Sequence, residues 1–151
     1  MTRLLKPDDL PAVKAIITAC ELFPPELLDE MVTPFFAAEP CQEFWLVSGE
    51  PDAVAVAYCA QERMIEGTWN LLLLAVHPDH QAKGLDTELT SQAEQVLSEQ
   101  GERLLLVETS GTDDFAQARD FYRQRGYEKE ARLRDYYEAG DDKIVFRKTL
   151  A

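Results

Sequence analysis

The spacing of apolar and polar residues changes period several times along this chain, and each change marks an element. Residues 3–6 have the mixed, extended character of a short edge strand. Asp8 or Asp9 can cap the helix that follows, Pro11 suits its first turn, and the helical pattern runs to about Cys20. Pro24 and Pro25 open a second helix, in which Leu27, Leu28, Met31 and Phe35 recur at helical spacing until Pro40 stops it. Residues 43–48 and 53–60 read as strands, joined through Gly49, Glu50, Pro51 and Asp52 into an antiparallel hairpin.

A turn near residues 63–67 leads to a strand over 68–76. From Leu71 to Val76 both of its faces are apolar, which predicts a central strand covered on each side. The helix over about 85–100 carries Leu85, Leu89, Ala93, Val96 and Leu97 on one stripe, and Asp86, Glu88, Gln92, Glu94 and Glu99 opposite. Gly101 ends it, and residues 103–109 form another apolar strand. Strand, helix and strand together predict a βαβ unit with parallel strands and a right-handed crossover. In the next helix Thr112 or Asp113 can cap, Asp113 and Asp114 lie at the positive end, and Arg119, Arg123 and Arg125 lie toward the negative end. Gly126 supplies the C′ position. Strands over 128–134 and 143–149, turning around Gly140, Asp141 and Asp142, close the chain. The expectation is one α/β (α+β) domain spanning residues 1–151, with a mixed, mostly antiparallel sheet, a central parallel pair formed by its fourth and fifth strands, and helices on both faces.

Composition narrows the function more than the fold. At 151 residues, 46% of them hydrophobic, the chain can bury one sizeable core. Its 15 basic and 28 acidic side chains give a net charge of −13. That balance disfavours nucleic acid and anionic membranes and favours cationic partners. The longest apolar run, Leu71 to Val76, is too short to span a bilayer, and Lys6, Asp8 and Asp9 interrupt any secretory h-region. Cys20, Cys41 and Cys59 have no metal-ligand spacing and cannot all pair within one chain, so the expectation is a reduced, cytoplasmic protein without a metal. His77 and His80 bracket Pro78 without a cysteine or carboxylate cluster nearby, and read as turn residues. No P-loop, nucleophile elbow or dinucleotide fingerprint is present.

The segment from Leu71 to Leu89 carries the chemistry. A buried strand ends at Pro78, and a turn containing Gly84 opens a helix, where backbone N–H groups and the helix dipole favour an anion such as a phosphate. Val76, Pro78, Gln81 and Gly84 fit the pattern V-x-P-x-x-Q/R-G-x-G-x-G/A. Further on, Phe121 and Tyr122 precede Gly126 and Tyr127 as an aromatic–Tyr pair before Gly–aromatic. With the order of elements, these two motifs resemble the GNAT superfamily of acyl-CoA-dependent N-acetyltransferases over nearly the whole chain.

The resemblance implies a GNAT-like sheet whose fourth and fifth strands splay to admit acetyl-CoA as co-substrate. Backbone N–H groups of Gln81, Ala82, Lys83, Gly84, Leu85, Asp86 and Thr87 would hold the pyrophosphate, and the main chain of Leu74, Ala75 and Val76 would meet the pantetheine arm. Two positions depart from the pattern. Ala82 replaces a glycine, which costs about 1 kcal/mol if φ is positive there. Asp86 replaces glycine or alanine. A carboxylate about 4 Å from a phosphate charge, at an effective dielectric of about 20, is repelled by up to ~4 kcal/mol, or about a thousandfold in affinity. Lys83 could neutralise Asp86 or bind phosphate.

By the same resemblance, Tyr122 is the candidate acid that protonates the leaving thiolate, although its helical stripe with Phe115 and Ala118 also suits packing on the sheet. Glu108 is the candidate base, with Glu62, Glu66 and Asp135 as further carboxylates near the rim. Asn70 could hydrogen-bond substrate or be a solvated edge amide. Tyr136 and Tyr137 could line an acceptor pocket, a dimer contact or a solvated turn. The acidic charge fits a small amine or peptide amine acceptor, including cationic ones, and a homodimer is compatible. The alternative is a fold relative that has lost coenzyme binding through Asp86 and serves as a binding or dimerisation module.

Overall fold

The computed structural model describes residues 1–37 and 42–150. One mixed sheet of seven strands runs through it in the order β1-β2-β3-β4-β5-β7-β6. The strands are β1 (Thr2–Leu4), β2 (Glu43–Ser48), β3 (Ala55–Gln61), β4 (Thr68–Val76), β5 (Leu104–Ser110), β6 (Glu128–Glu138) and β7 (Asp141–Thr149). All neighbours pair antiparallel except β4 and β5, which are parallel. The expected central parallel pair is therefore present, and β7 inserts between β5 and β6.

Helices α1 (Leu10–Ala19), α2 (Leu28–Met31) and α3 (Thr33–Phe36) precede the hairpin, α4 (Leu85–Glu99) links the parallel strands, and α5 (Ala116–Gln124) follows β5. Val13, Ile16 and Ile17 of α1 pack with Leu28 and Val32 on Trp45, Val47 and Val56, on one face of the sheet. Leu89, Ala93 and Leu97 of α4 pack with Tyr122 and Tyr127 on Phe44, Leu46 and Leu71, on the other.

Several local expectations shift. The second helix is broken at Val32 into α2 and α3, because Pro34 has no N–H to continue the ladder and instead takes the first turn of a new helix. The expected stop at Pro40 and the third cysteine, Cys41, lie outside the described residues. Asp9, rather than capping with a free side chain, is held by two 2.7 Å hydrogen bonds from Arg3 and accepts the Lys6 N–H at 2.8 Å. Neither Thr112 nor Asp113 caps α5. The Thr112 hydroxyl lies 3.0 Å from that of Ser110, and a 3-10 turn, Asp113–Phe115, intervenes. Arg119 points away from the helix C-terminus and donates to the carbonyls of Ser110 and Thr112, at 2.7 and 2.8 Å. Gly126 does occupy C′, at φ +91°, with Tyr127 N–H on the Tyr122 carbonyl and Gly126 N–H on that of Arg123. Strand β6 extends through Tyr136 and Tyr137, so these are strand and not turn residues.

Candidate active site

Strands β4 and β5 pair only from Thr68↔Leu104 to Leu71↔Val107. Across β3, Tyr58 pairs with Leu73 and Cys59 with Leu71, so Leu72 is an extra, bulged residue. The bulge has a parity consequence. Trp69 and Leu71 before it, and Leu74 and Val76 after it, all belong to the α4 face, while Leu73 and Ala75 pack on the α1 face. The expectation that Leu71 to Val76 is covered on both sides is corrected here. Leu72 is 54% exposed, at the bulge and just beyond Leu71↔Val107, the last residue pair that β4 makes with β5, while β5 stays paired with β7 along its whole length.

Two open clefts occupy the wedge. One, of about 490 Å³, has walls that include Leu72, Glu108, Phe115, Tyr137 and Asp141. The other, of about 480 Å³, lies between the end of β4 and the start of α4, with walls that include Val76, Gln81, Ala82, Asp86 and Phe121. Leu74, Ala118 and Tyr122 belong to both.

The loop entering α4 turns through two left-handed residues, and the cleft beside it is lined by two carboxylates, Asp86 and Asp114. Ala82 and Gly84 adopt positive φ, +64° and +79°, so the alanine carries the strain that glycine would avoid. Among the described residues, no backbone acceptor takes the N–H groups of residues 81–84. Gln81 and Ala82 line the cleft, and the Gln81 amide lies 3.4 Å from the Val76 carbonyl, which also accepts the Cys20 thiol at 3.4 Å. His77 and His80 are turn residues, as expected. His77 Nδ1 accepts the Asp79 N–H at 3.1 Å, and Lys83 Nζ lies 3.3 Å from His80 Nδ1. Lys83 therefore does not neutralise Asp86, and no cation pairs with Asp86 among the described residues. Asp86 Oδ1 instead accepts the Thr87 N–H at 2.8 Å, turning its charge onto the helix N-terminus. Thr87 Oγ1 in turn accepts from Arg125 at 2.7 Å, tying α4 to the end of α5.

Tyr122 both packs and faces the wedge. Its ring lies 5.6 Å from that of Tyr127 and 6.0 Å from that of Phe146. Burial first, then the nearby Asp86 and Cys59, push its hydroxyl well above the ordinary tyrosine range, so it stays protonated. Glu108 faces the first cleft, with Lys143 Nζ 3.2 Å from its carboxylate. The other expected carboxylates lie elsewhere. Glu62 accepts the Asn70 amide at 3.2 Å, and Asp135 accepts the Gly140 N–H at 2.8 Å within the final hairpin. Asn70 is buried in central β4, not a solvated edge amide, since β5 covers that segment. Two polar cleft residues, Ser110 and Asp141, were not legible in advance. The Ser110 hydroxyl donates to the Asp141 carboxylate across the β5–β7 pair, and only that non-local register brings them together.

Residues 40–129 match the acetyltransferase (GNAT) domain. The chain belongs to the GNAT acetyltransferase family. It is similar over 100% of its length, at 31% identity and a TM-score of 0.89, to a protein assigned to that family from Desulfovibrio desulfuricans, 99% of which is covered. The ribosomal-protein-S18-alanine N-acetyltransferase of Escherichia coli shares the fold at 22% identity and a TM-score of 0.79, over 100% of this chain and 94% of that one. An aminoglycoside 6'-N-acetyltransferase complexed with coenzyme A does so at 15% identity and a TM-score of 0.79, over 100% and 97%. No curated protein matches the chain.

Proposed function

We propose that this protein is an acetyl-CoA-dependent N-acetyltransferase acting on a primary amine. The observation that carries the reading is the wedge itself, in which two clefts of similar size meet at Leu74, Ala118 and Tyr122. One cleft suits the donor and the other the acceptor. The residues fit coenzyme A in their backbone: open N–H groups, positive φ at Ala82 and Gly84, and a strand freed from its neighbour beyond Leu71. The aminoglycoside enzyme with bound coenzyme A shares the fold and supports the same assignment.

Acetyl-CoA supplies a thioester carbonyl open to direct attack by an amine. The main chain of residues 81–87 would hold its phosphates. Leu74, Ala75 and Val76 would offer main-chain groups to its pantetheine amides, and N–H groups near Val76 would polarise the carbonyl. Holding both reactants in one wedge supplies much of the rate by proximity. Tyr122, kept protonated by its surroundings, donates from Oη to the departing sulfur. Glu108 takes up the amine proton through water, as its pairing with Lys143 suits a relay better than direct abstraction. Free thiols at Cys20 and Cys59, and no described helix long and apolar enough to cross a membrane, are compatible with a cytoplasmic setting.

A second reading rests on Asp86, whose carboxylate occupies the Thr87 N–H and lines the donor cleft. In that reading the fold is retained for binding, and coenzyme affinity is lost. Thermal melting with increasing acetyl-CoA separates the two, since a bound ligand raises the midpoint with concentration and a coenzyme-blind protein does not move. An amine panel with a free-thiol readout then tests turnover.

A further inference from the structure

The acceptor cleft carries more chemical information than the acidic surface does. Its walls are predominantly apolar. Leu72 is 54% exposed, Phe115 47% and Tyr137 46%, and these three large apolar side chains share one cleft rather than being scattered over the surface. Leu71, Leu74 and Val107 continue the same lining inward.

Charge is sparse and can be followed group by group. Glu108 is balanced by Lys143 at 3.2 Å, and that ammonium also sits 4.3 Å from the centre of the Tyr136 ring. Asp141 faces the cleft, and among the described residues its carboxylate accepts from a neutral donor, the Ser110 hydroxyl, and pairs with no cation. The nearby guanidinium of Arg132 pairs with Asp142, the next residue along. The cleft thus presents one uncompensated negative charge beside an aromatic and aliphatic wall.

Building on the acetyltransferase reading, we propose that the acceptor is a small arylalkylamine-type monoamine, a single ammonium on an aromatic body. Asp141 recognises its charge, and Leu72, Phe115 and Tyr137 cover its ring. Polyamines and aminoglycosides fit poorly. Their additional ammonium groups would lie against the leucine wall or next to Lys143, losing water without gaining a partner. Aromatic rings gain both apolar burial and edge or stacked contacts with Phe115 and Tyr137.

Two measurements test this. Calorimetric binding of phenethylamine, spermidine and kanamycin to the protein without acetyl-CoA reads the amine site alone. Steady-state acetylation of the same three amines, and of a short peptide with a free N-terminus, reads catalysis. The expected results are phenethylamine binding about tenfold tighter than the polycations and the highest kcat/KM for phenethylamine. Asp141→Asn and Phe115→Ser should each raise the phenethylamine Kd by about tenfold, the effect of losing one charge-assisted or aromatic contact. Preference for spermidine, kanamycin or the peptide overturns the proposal while leaving the enzyme reading intact. Tight phenethylamine binding without turnover upholds the amine site and overturns the enzyme reading. No binding and no turnover with any of the four overturns the proposal, and the enzyme reading then stands or falls on the acetyl-CoA melting series.

Discussion

Leu71 and Leu72 are adjacent, chemically identical and in the same strand, yet one is 4% exposed and the other 54%. The lower part of β4, from Thr68 to Leu71, is paired on both sides and packed under α4. The upper part, from Leu72 to Val76, keeps β3 but loses β5. A single bulged residue separates a structural half from a chemical half. Below it, apolar side chains exclude water and hold the sheet. Above it, similar side chains line clefts, and the main chain has no strand partner on the β5 side. The contrast shows that a wedge can open in a sheet at a register shift, with no change in residue type.

The largest effect should come from the lower half. Leu71→Ala removes a buried side chain and is expected to destabilise the fold by about 2–5 kcal/mol in urea unfolding, whereas Leu72→Ala should change stability by less than about 0.5 kcal/mol. Similar losses at the two positions would erase the distinction. Next is Asp86, one of two carboxylates in the cleft at the start of α4. Asp86→Asn should tighten acetyl-CoA binding by up to about a thousandfold in calorimetric titration. The same change should slightly lower stability, by ~0.3–1 kcal/mol, because the carboxylate then no longer complements the helix N-terminus. An unchanged Kd would mean that the carboxylate does not sense the coenzyme.

Tyr122→Phe tests the point where the clefts meet. Turnover should fall about a hundredfold with the acetyl-CoA Kd nearly unchanged. The proton is held more tightly in the folded protein than in solution, so the hydroxyl remains an acid as pH rises through the ordinary tyrosine range. The pH profile of kcat should therefore show no falling limb below about pH 10 that Tyr122→Phe removes. The smallest effect belongs to the loop. Ala82→Gly relieves the positive φ and should raise the melting midpoint by about 2–4 °C, for a gain of up to ~1 kcal/mol.

Most elements were legible because their signals are local. The strand at residues 68–76 and the α4 stripe of Leu89, Ala93 and Leu97 followed from periodicity, and the Gly126 C′ position from a single residue type. The break at Val32 was also local, since Pro34 marked it, but the apolar spacing of Met31 and Phe35 obscured it. The candidate site was half legible. Tyr122, Glu108 and the loop through Asp86 were named from motif and position, and Tyr122, Glu108, Gln81, Ala82, Leu85 and Asp86 line the two clefts, whereas Lys83 and Gly84 do not. Asp141 and Ser110 were not, because they lie 31 residues apart and meet only across the β5–β7 ladder.

The chain by itself determined which segments become strands and helices, that the fourth and fifth strands run parallel, and where an anion-binding turn could form. Each of these depends on interactions within a few residues or on a short crossover. The tertiary structure alone decided that Leu72 bulges, that the parallel strands separate there, and that Lys83 turns to His80 and leaves Asp86 without a counter-ion among the described residues. Four consecutive leucines carry no register information, so only the pairing with β3, with its shift at Tyr58 and Cys59, and the end of the pairing with β5 at Leu71 could select which of them faces solvent.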